Sequence, residues 1–140
     1  MRDIKLRNID IIHFNMTAFL LEPGEDMRLE NVLVENVRLD GKGNKSFIRL
    51  RPLVNRYMRN KVPGHIKNIT FRNIQVEGKP GKYLIEVKAP DAKHRVEKVL
   101  FDDVSILGKP VSASSSYVRI GDYTEDIEFV TSTATADTSK

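Results

Sequence analysis

An eleven-residue phrase that recurs along the chain constrains the fold more than any other feature of the sequence. The first copy reads MRDIKLRNIDI, and later copies read LENVLVENVRL, IKNITFRNIQV and VEKVLFDDVSI. These copies start at residues 1, 29, 66 and 96, and a fifth, worn copy starts at residue 124. Self-similarity at a period of about 20–50 residues is typical of a solenoid, in which no repeat can bury its apolar face alone.

Each copy alternates apolar and polar residues, which predicts half-buried strands. Counted from zero, positions 0, 3, 5, 8 and 10 are apolar in the first four copies. Two polar residues separate positions 5 and 8, so the phrase predicts two short strands that meet at a sharp bend. Position 7, at the bend, is Asn8, Asn36, Asn73 and Asp103. Because Asn tolerates the left-handed backbone conformation, these residues are expected to stack as a ladder.

A third strand-like segment follows each phrase, rich in β-branched and aromatic residues. We place these segments at 19–22, 47–51, 83–88 and 117–120. Three short strands per period predict an all-β chain that folds as a single-stranded parallel β-helix of about five coils, stacked about 4.8 Å apart. Phe71 and Phe101 share position 5 and are expected to form an internal aromatic stack.

The nearest alternative is a leucine-rich repeat, which shares the opening rhythm of the phrase. That repeat places its Asn one position later and follows it with a helix or a single closing turn. Here another strand follows at once, which favours the β-helix. We therefore expect a β-helix domain over residues 1–130 and a small, polar, flexible C-terminal tail over 131–140.

Composition excludes several classes of function. The chain has no Cys and a net charge of +4, which fits an acidic partner without requiring one. No apolar run is long enough to span a membrane, and no basic stretch interleaved with aromatic residues points to nucleic acid. His13 and His94 fall in predicted turns and His65 precedes a strand, so the histidines look scattered and neither a metal site nor a cofactor is expected.

The first copy begins at Met1, with neither a signal peptide nor a capping segment before it. An uncovered end coil exposes unpaired backbone groups and apolar side chains. We therefore expect the chain to be the C-terminal piece of a longer β-helix protein. The alternative is a short natural protein that self-associates end to end through its uncapped N-terminal coil.

The phrase at residues 66–76 resembles the late coils of polygalacturonase-like glycoside hydrolases, which have the pectin-lyase-type right-handed β-helix. The segment YVRIGDY at residues 117–123 is similar to the last coil of such proteins. The resemblance implies a right-handed β-helix, a polysaccharide partner of acidic character, and a parent protein that is secreted or periplasmic.

The catalytic motifs of that family do not carry over to this chain. Family members carry Asn-x-Asp, Asp-Asp, Gly-His-Gly and Arg-Ile-Lys, with paired carboxylates for inverting hydrolysis. Asn8-Ile9-Asp10 and Asp102-Asp103 match in letters, but both occupy repeat positions and more than three periods of chain separate them. Gly64-His65 lacks the second Gly, and only Arg49-Leu50-Arg51 loosely resembles Arg-Ile-Lys. No catalytic residue is expected here.

The resemblance implies a substrate groove along the outside of the third strand. The apolar residues expected to face inward are Ile48, Leu50, Ile85, Val87, Val118 and Ile120. The charged residues then stack outward in two columns: Arg49, Glu86 and Arg119 in one, Glu22, Arg51 and Lys88 in the next. The functional interpretation is a cationic groove whose guanidinium groups bind uronate carboxylates. The alternative is a cross-strand charge ladder, which is favoured because Glu86 sits where an anion would bind.

The long second period adds residues 52–64, which include Arg56, Tyr57, Arg59 and Lys61. Insertions in solenoids map to loops on one face, often the binding face. Tyr57 is a candidate to stack on a sugar ring. A solvated loop that packs back on the coil is the alternative, and the sequence does not decide between them.

Two functions follow from the sequence. The first is the C-terminal β-helix portion of a polygalacturonase-like carbohydrate-active protein that lacks its own catalytic carboxylates. The second is a stand-alone, non-catalytic carbohydrate-binding or structural β-helix module. The candidate substrate-binding residues are Arg49, Arg51, Lys88, Arg119 and Tyr57. Whether the parent is an enzyme stays open, because the catalytic motifs are not in this chain.

Overall fold

A computed structural model describes residues 2–14, 17–43, 45–54, 59 and 61–131 of the chain. Its strands are, in chain order, β1 (Arg2–Phe14), β2 (Phe19–Leu21), β3 (Arg28–Lys42), β4 (Ser46–Leu50), β5 (His65–Lys79), β6 (Leu84–Val87), β7 (Val96–Ile106), β8 (Lys109–Pro110), β9 (Val118–Ile120) and β10 (Thr124–Val130). The predicted all-β class is confirmed, since no helix occurs in these ranges. Accordingly, none of the described residues forms a helix of the length and apolarity that a membrane crossing needs.

The strands form two parallel sheets between which the chain alternates. The first sheet has the order β1-β3-β5-β7-β10, and the short strand β8 pairs with β7 in the antiparallel direction. The second sheet has the order β2-β4-β6-β9. Apart from β8, each of the first four repeats adds one strand to each sheet, and the fifth adds β10 to the first sheet, always beside the strand from the repeat before it. This arrangement is compatible with a parallel β-helix.

Pairing in the first sheet joins equal positions of the phrase. At position 3, Ile4 pairs with Val32, Val32 with Ile69, and Ile69 with Val99. The worn fifth copy keeps the same register, because Ile127 pairs with Val99. The sequence repeat therefore predicts both the strand order and the residue-by-residue register of this sheet.

The predicted bend and its ladder are both present. At position 7, Asn8, Asn36, Asn73 and Asp103 have φ angles of 55°, 56°, 55° and 62°. Asn36 donates to Asn8 Oδ1 at 3.0 Å, and Asn73 donates to Asn36 Oδ1 at 2.8 Å. One expectation changes: the strand continues through the bend in all four copies, so each phrase forms one kinked strand rather than two.

A second left-handed column lies five positions earlier, at position 2 of the phrase. Its members are Asp3, Asn31, Asn68, Lys98 and Asp126, with φ angles of 59°, 56°, 59°, 56° and 56°. Asn31 donates to Asp3 Oδ1 at 3.0 Å, and Asn68 donates to Asn31 Oδ1 at 2.7 Å. This column was not predicted from the sequence. The phrase strands β1, β3, β5 and β7 are therefore kinked twice, and a side-chain ladder joins β1, β3 and β5 at each kink.

The inner faces of the two sheets share one hydrophobic core. All five apolar positions of the second, third and fourth copies are buried, as are Ile48, Leu50, Ile85 and Val87 of the second sheet. The Phe19 ring of β2 lies 5.5 Å from the Phe71 ring of β5, which joins the two sheets. The predicted stack is confirmed: the Phe71 and Phe101 rings lie 5.4 Å apart at 6°, and Phe129 extends it.

Some predictions fail or fall outside the described residues. Ile120 pairs in register with the buried Val87 and so lies on the inner face, as predicted, but it remains 39% exposed because β9, as an edge strand, has a neighbour on one side only. His13 lies within β1 rather than in a turn, since the strand continues beyond the phrase to Phe14. The third strands appear within one residue of most predicted bounds. Of the predicted tail over 131–140, only Thr131 lies in the described part.

Candidate functional site

The outer face of the second sheet carries the predicted charge columns. Arg49 of β4 pairs in register with Glu86 of β6, and Glu86 pairs with Arg119 of β9. Alternate residues of a strand point to opposite faces of the sheet. Because Ile85 and Val87 are buried, Glu86 and its two neighbours face outward. The column that the sequence predicts is therefore present.

The carboxylates of this face engage two of its arginines. Arg51 Nε donates to Glu22 Oε2 at 2.7 Å, and Arg51 Nη1 lies 3.6 Å from Glu86 Oε1. Arg49 Nε lies 4.0 Å from the same oxygen of Glu86. The Glu22 and Glu86 side chains are only 18% and 15% exposed. Arg51 is thus held between two half-buried carboxylates, as the charge-ladder interpretation expects.

Beside this column lies a pocket of about 620 Å³, which we name the cationic pocket. Its lining residues are Lys45, Ser46, Arg49, Gly81, Lys82, Leu84, Ser116, Tyr117 and Arg119. Four of these side chains are cationic and none is a carboxylate. The volume falls in the range of about 300–1,000 Å³ that is usual for small-ligand sites.

The segments that lead into β4, β6 and β9 build the cationic pocket. The Leu84 amide donates to the Lys45 carbonyl at 3.2 Å, and the Ile85 amide donates to the Tyr117 carbonyl at 2.9 Å. These bonds hold consecutive repeats side by side, so their polar residues converge. Arg49 Nε and Ser46 Oγ are buried and have no hydrogen-bond partner within the described ranges. Such atoms are rare in native proteins, which marks the pocket as unusual.

A second pocket, of about 730 Å³, lies at the opposite end of the same strands. We name it the proline-rich pocket; its lining residues are Arg51, Pro52, Leu53, Val54, Pro63, Lys88, Ala89, Pro90, Gly121 and Asp122. Its charges are mixed, because Arg51 is paired with glutamates and Asp122 adds a carboxylate. It is therefore a weaker anion site than the cationic pocket.

The structure divides the predicted binding residues between these two pockets. Arg49 and Arg119 meet in the cationic pocket, whereas Arg51 and Lys88 line the proline-rich pocket. Tyr57 lies outside the described residues. Sequence reasoning missed Lys45, Lys82 and Tyr117. Their signal is positional: each stands one or two residues before the start of a third strand, in successive repeats.

The carboxylates that resemble catalytic ones in letters have structural neighbours. Asp10 lies on β1 and Asp102 on β7, with β3 and β5 between them, so about 14 Å separates their strands. Arg72 Nε donates to Asp102 Oδ2 at 3.1 Å. The pair does not flank a common point, as the sequence analysis expects for repeat positions.

A third grouping was not foreseen. Asp26 precedes β3, His65 opens β5 and His94 precedes β7; we call these three residues the histidine corner. Asp26 Oδ1 lies 2.6 Å from His65 Nε2 and 3.6 Å from His94 Nε2, and the imidazole rings are 4.9 Å apart. The expectation that the histidines are scattered is wrong for this pair. The available signal was that each residue stands one to three positions before a copy of the phrase.

Hydrogen bonds from the histidines lower the pKa values of two carboxyl groups at this corner. The bond from His65 is the main cause of the lowered pKa of Asp26, with smaller contributions from the charges of His65, His94 and Arg28. The bond from His94 lowers the pKa of Asp91 in the same way, aided by backbone amides of Lys93 and His94. Both carboxylates are therefore held in the ionised form.

Comparison of the chain with protein-family models, with curated proteins and with solved structures finds no match. Function is therefore inferred from the residues and their geometry.

Proposed function

We propose that this chain is a right-handed parallel β-helix that binds an acidic polysaccharide in the cationic pocket and carries no catalytic carboxylates of its own. Support for the β-helix comes from the alternation of the chain, apart from the short strand β8, between two parallel sheets that share one core. Each new strand is placed beside the strand of the preceding repeat in its sheet, so the chain winds around the core in one direction. Crossovers between parallel strands are almost always right-handed.

The observation that carries the binding proposal is the charge of the cationic pocket. Lys45, Lys82 and Arg119 have exposed side chains, and within the described ranges no carboxylate pairs with them. Arg49 shares its charge with Glu86, so the pocket keeps a net positive charge. Guanidinium groups bind carboxylates through two parallel hydrogen bonds, and lysines attract them as point charges.

An acidic sugar polymer fits this site better than a small anion. The pocket is open and lies beside a row of outward charges along the sheet, which suits a ligand with repeated carboxylates. The resemblance of residues 66–76 and 117–123 to polygalacturonase-like proteins supports the same choice. On this proposal the chain is the C-terminal β-helix portion of such a carbohydrate-active protein.

The second candidate is a structural module without a ligand. The ion pairs that Arg51 makes with Glu22 and Glu86 favour it, since they use charges that a sugar would otherwise bind. The two candidates differ in what the cationic pocket does. They are therefore separable by changing only residues of that pocket.

The deciding experiment is calorimetric titration of the chain with oligogalacturonate and with a neutral oligosaccharide of equal length. We expect only the acidic ligand to bind, with affinity that falls as salt rises. The double variant Lys82→Ala with Arg119→Ala should weaken binding at least tenfold, whereas Lys67→Ala on the first sheet removes a like charge and serves as the control. Equal binding of both ligands, or unchanged binding by the double variant, would contradict the proposal.

A reducing-end assay on the same preparation tests the catalytic half of the proposal. The purified chain should release no reducing ends from polygalacturonate. Hydrolysis that persists through purification would show that the chain contains a catalytic pair that we have not recognised.

A further inference from the structure

We propose that the histidine corner binds one divalent transition-metal ion, with Zn²⁺ as the best match, and so links three successive repeats. One ligand atom from each of Asp26, His65 and His94 lies within 4.8 Å of the other two. Two imidazoles and a carboxylate form a common ligand set for zinc. This inference does not depend on the proposed polysaccharide binding.

The distances are close to those that a tetrahedral ion requires. Zinc bonds of about 2.0–2.2 Å to nitrogen and oxygen place neighbouring ligand atoms about 3.3 Å apart. Asp26 Oδ1 is 3.6 Å from His94 Nε2, near that value, and 2.6 Å from His65 Nε2, where a hydrogen bond holds the atoms closer. Because the Asp26 side chain is 62% exposed, we expect its rotation to lengthen the shorter contact.

The tautomer of His94 is already the one that a metal site needs. Its Nδ1 lies 2.8 Å from Asp91 Oδ1, and because a carboxylate only accepts, this nitrogen carries the proton. The Nε2 lone pair therefore faces Asp26 and His65. A carboxylate that orients a ligating imidazole in this manner is the usual support of histidine–zinc sites.

Backbone hydrogen bonds fix the positions of the ligands. Asp91 Oδ1 accepts the amides of Lys93 and His94, each at 2.9 Å. The His65 amide donates to the Met27 carbonyl at 2.8 Å, and the Asp26 amide donates to the Pro63 carbonyl at 3.1 Å. The Ile66 amide donates to the Arg95 carbonyl at 3.2 Å, so the segments that carry the three ligands are fastened to one another without the ion.

Burial and charge fit an ion that enters from solvent. The side chains of His65 and His94 are 17% and 12% exposed, whereas Asp26 is 62% exposed and leaves an approach open. On binding, the ion takes the place of the proton on His65 Nε2, which leaves to solvent, and the Asp26 and Asp91 carboxylates offset its two charges. Three protein ligands leave the fourth tetrahedral position to water.

Imidazole donors select the class of metal. Nitrogen ligands suit zinc, copper, nickel and iron, whereas calcium and magnesium prefer sites built of oxygen alone. The ion would cross-link three repeats, because its ligands come from the repeats that contribute β3, β5 and β7. Binding to the folded chain alone then raises its stability.

The test is titration of the metal-free chain with ZnCl₂, followed by calorimetry and by NMR of the histidine rings, with CaCl₂ as the comparison ion. We expect one Zn²⁺ per chain, shifted resonances of two of the three histidines, and a urea midpoint that rises with Zn²⁺ but not with Ca²⁺. His65→Gln and His94→Gln keep a polar side chain of similar size and should each abolish the rise. His13→Gln is the matched control, since His13 lies near the far end of the first sheet.

Asp91→Asn tests the positioning of His94. It leaves all three ligands in place and should weaken Zn²⁺ binding about 10–100-fold. Absence of binding by the wild-type chain, or binding that survives the His65→Gln, His94→Gln double variant, would overturn the proposal. Loss of zinc binding with unchanged oligogalacturonate binding would separate this site from the cationic pocket.

Discussion

The outer faces of the two sheets are built from the same repeat but use their charges differently. On the first sheet, Arg7 lies 2.8 Å from Glu35, and Arg72 lies 3.1 Å from Asp102, so positive and negative residues alternate across the strands. Beside them run the two amide ladders. On the second sheet, the row through Arg49, Glu86 and Arg119 borders a pocket whose lining contains cations without carboxylates.

This contrast separates residues that maintain the repeat from residues that are free for binding. A charged side chain that forms an ion pair with the next repeat helps to hold the repeats together, because the same pairing recurs in each repeat. Lys45, Lys82 and Arg119 lack such partners in the described part of the chain, so their charge is available to a ligand. The second sheet is therefore the better candidate for function.

The largest expected effect, a loss of stability, tests whether the two sheets share one core although their outer faces differ. Phe71→Ala on the first sheet and Phe47→Ala on the second should each lower the free energy of unfolding by about 3–5 kcal/mol, because both rings are fully buried in the shared core. Urea denaturation followed by circular dichroism measures this. Leu20→Ala, at a side chain that is 53% exposed, is the control. Two separate transitions in either variant would mean that the sheets have independent cores.

The second largest expected effect is a loss of stability when the Asn ladder of the first sheet is interrupted. Asn36→Ala should cost about 2 kcal/mol, because it removes two ladder hydrogen bonds and leaves a residue with a β-carbon in the left-handed conformation. Asn36→Gly loses the same bonds without the strain, so we expect it to recover about 1 kcal/mol of that loss. Equal stabilities of the two variants would show that backbone strain at the bend is negligible.

A smaller effect tests the second sheet. Glu86→Gln should tighten oligogalacturonate binding about threefold, or about 0.6 kcal/mol, because it releases the charge of Arg49 in the cationic pocket at nearly constant shape. Titration at low salt measures it, and Glu97→Gln on the first sheet is the control. Weaker binding by Glu86→Gln would indicate that the ion pairs hold the arginines in their binding positions.

The smallest effect returns to the first sheet. Arg72→Ala should lower stability by no more than about 0.5 kcal/mol, because the Arg72 side chain is 46% exposed and water screens its pairs with Asp102 and Glu35. It should not change oligogalacturonate affinity. A change in affinity similar to that of Arg119→Ala would remove the functional distinction between the two faces.

Much of the first sheet was predictable from the sequence because the residue pattern that determines its strands is short and recurs in every copy of the phrase. The apolar positions predict the core, and the Asn at position 7 predicts a left-handed bend. The second kink escaped notice because position 2 contains Lys98 and two aspartates besides Asn, so no single residue type marks it. A polar residue next to apolar ones also fits an ordinary strand.

The sites were less predictable because they combine residues outside the phrase. Arg49 and Arg119 were found from strand alternation, but their separation from Arg51 and Lys88 depends on where the connecting segments lie. The histidine corner could have been found, since His65 and His94 are 29 residues apart and the copies that follow them start 30 apart. Rules based on the spacing of metal ligands along a helix do not detect histidines that lie one repeat apart in sequence and come together when the repeats stack.

The unequal spacing of the copies also bears on how such a chain can diversify. The second and third copies start 37 residues apart, yet Leu29 still pairs with Ile66 and Ile66 with Val96. The additional length lies between Leu50 and His65, outside every named strand. Val62 and Pro63, at the end of this stretch, accept backbone hydrogen bonds from Glu25 and Asp26 and so must keep their places. Insertions before them leave the ladders untouched, so that part can change in length without compensating changes in the framework. It is also the natural place to graft a foreign peptide or a new recognition loop.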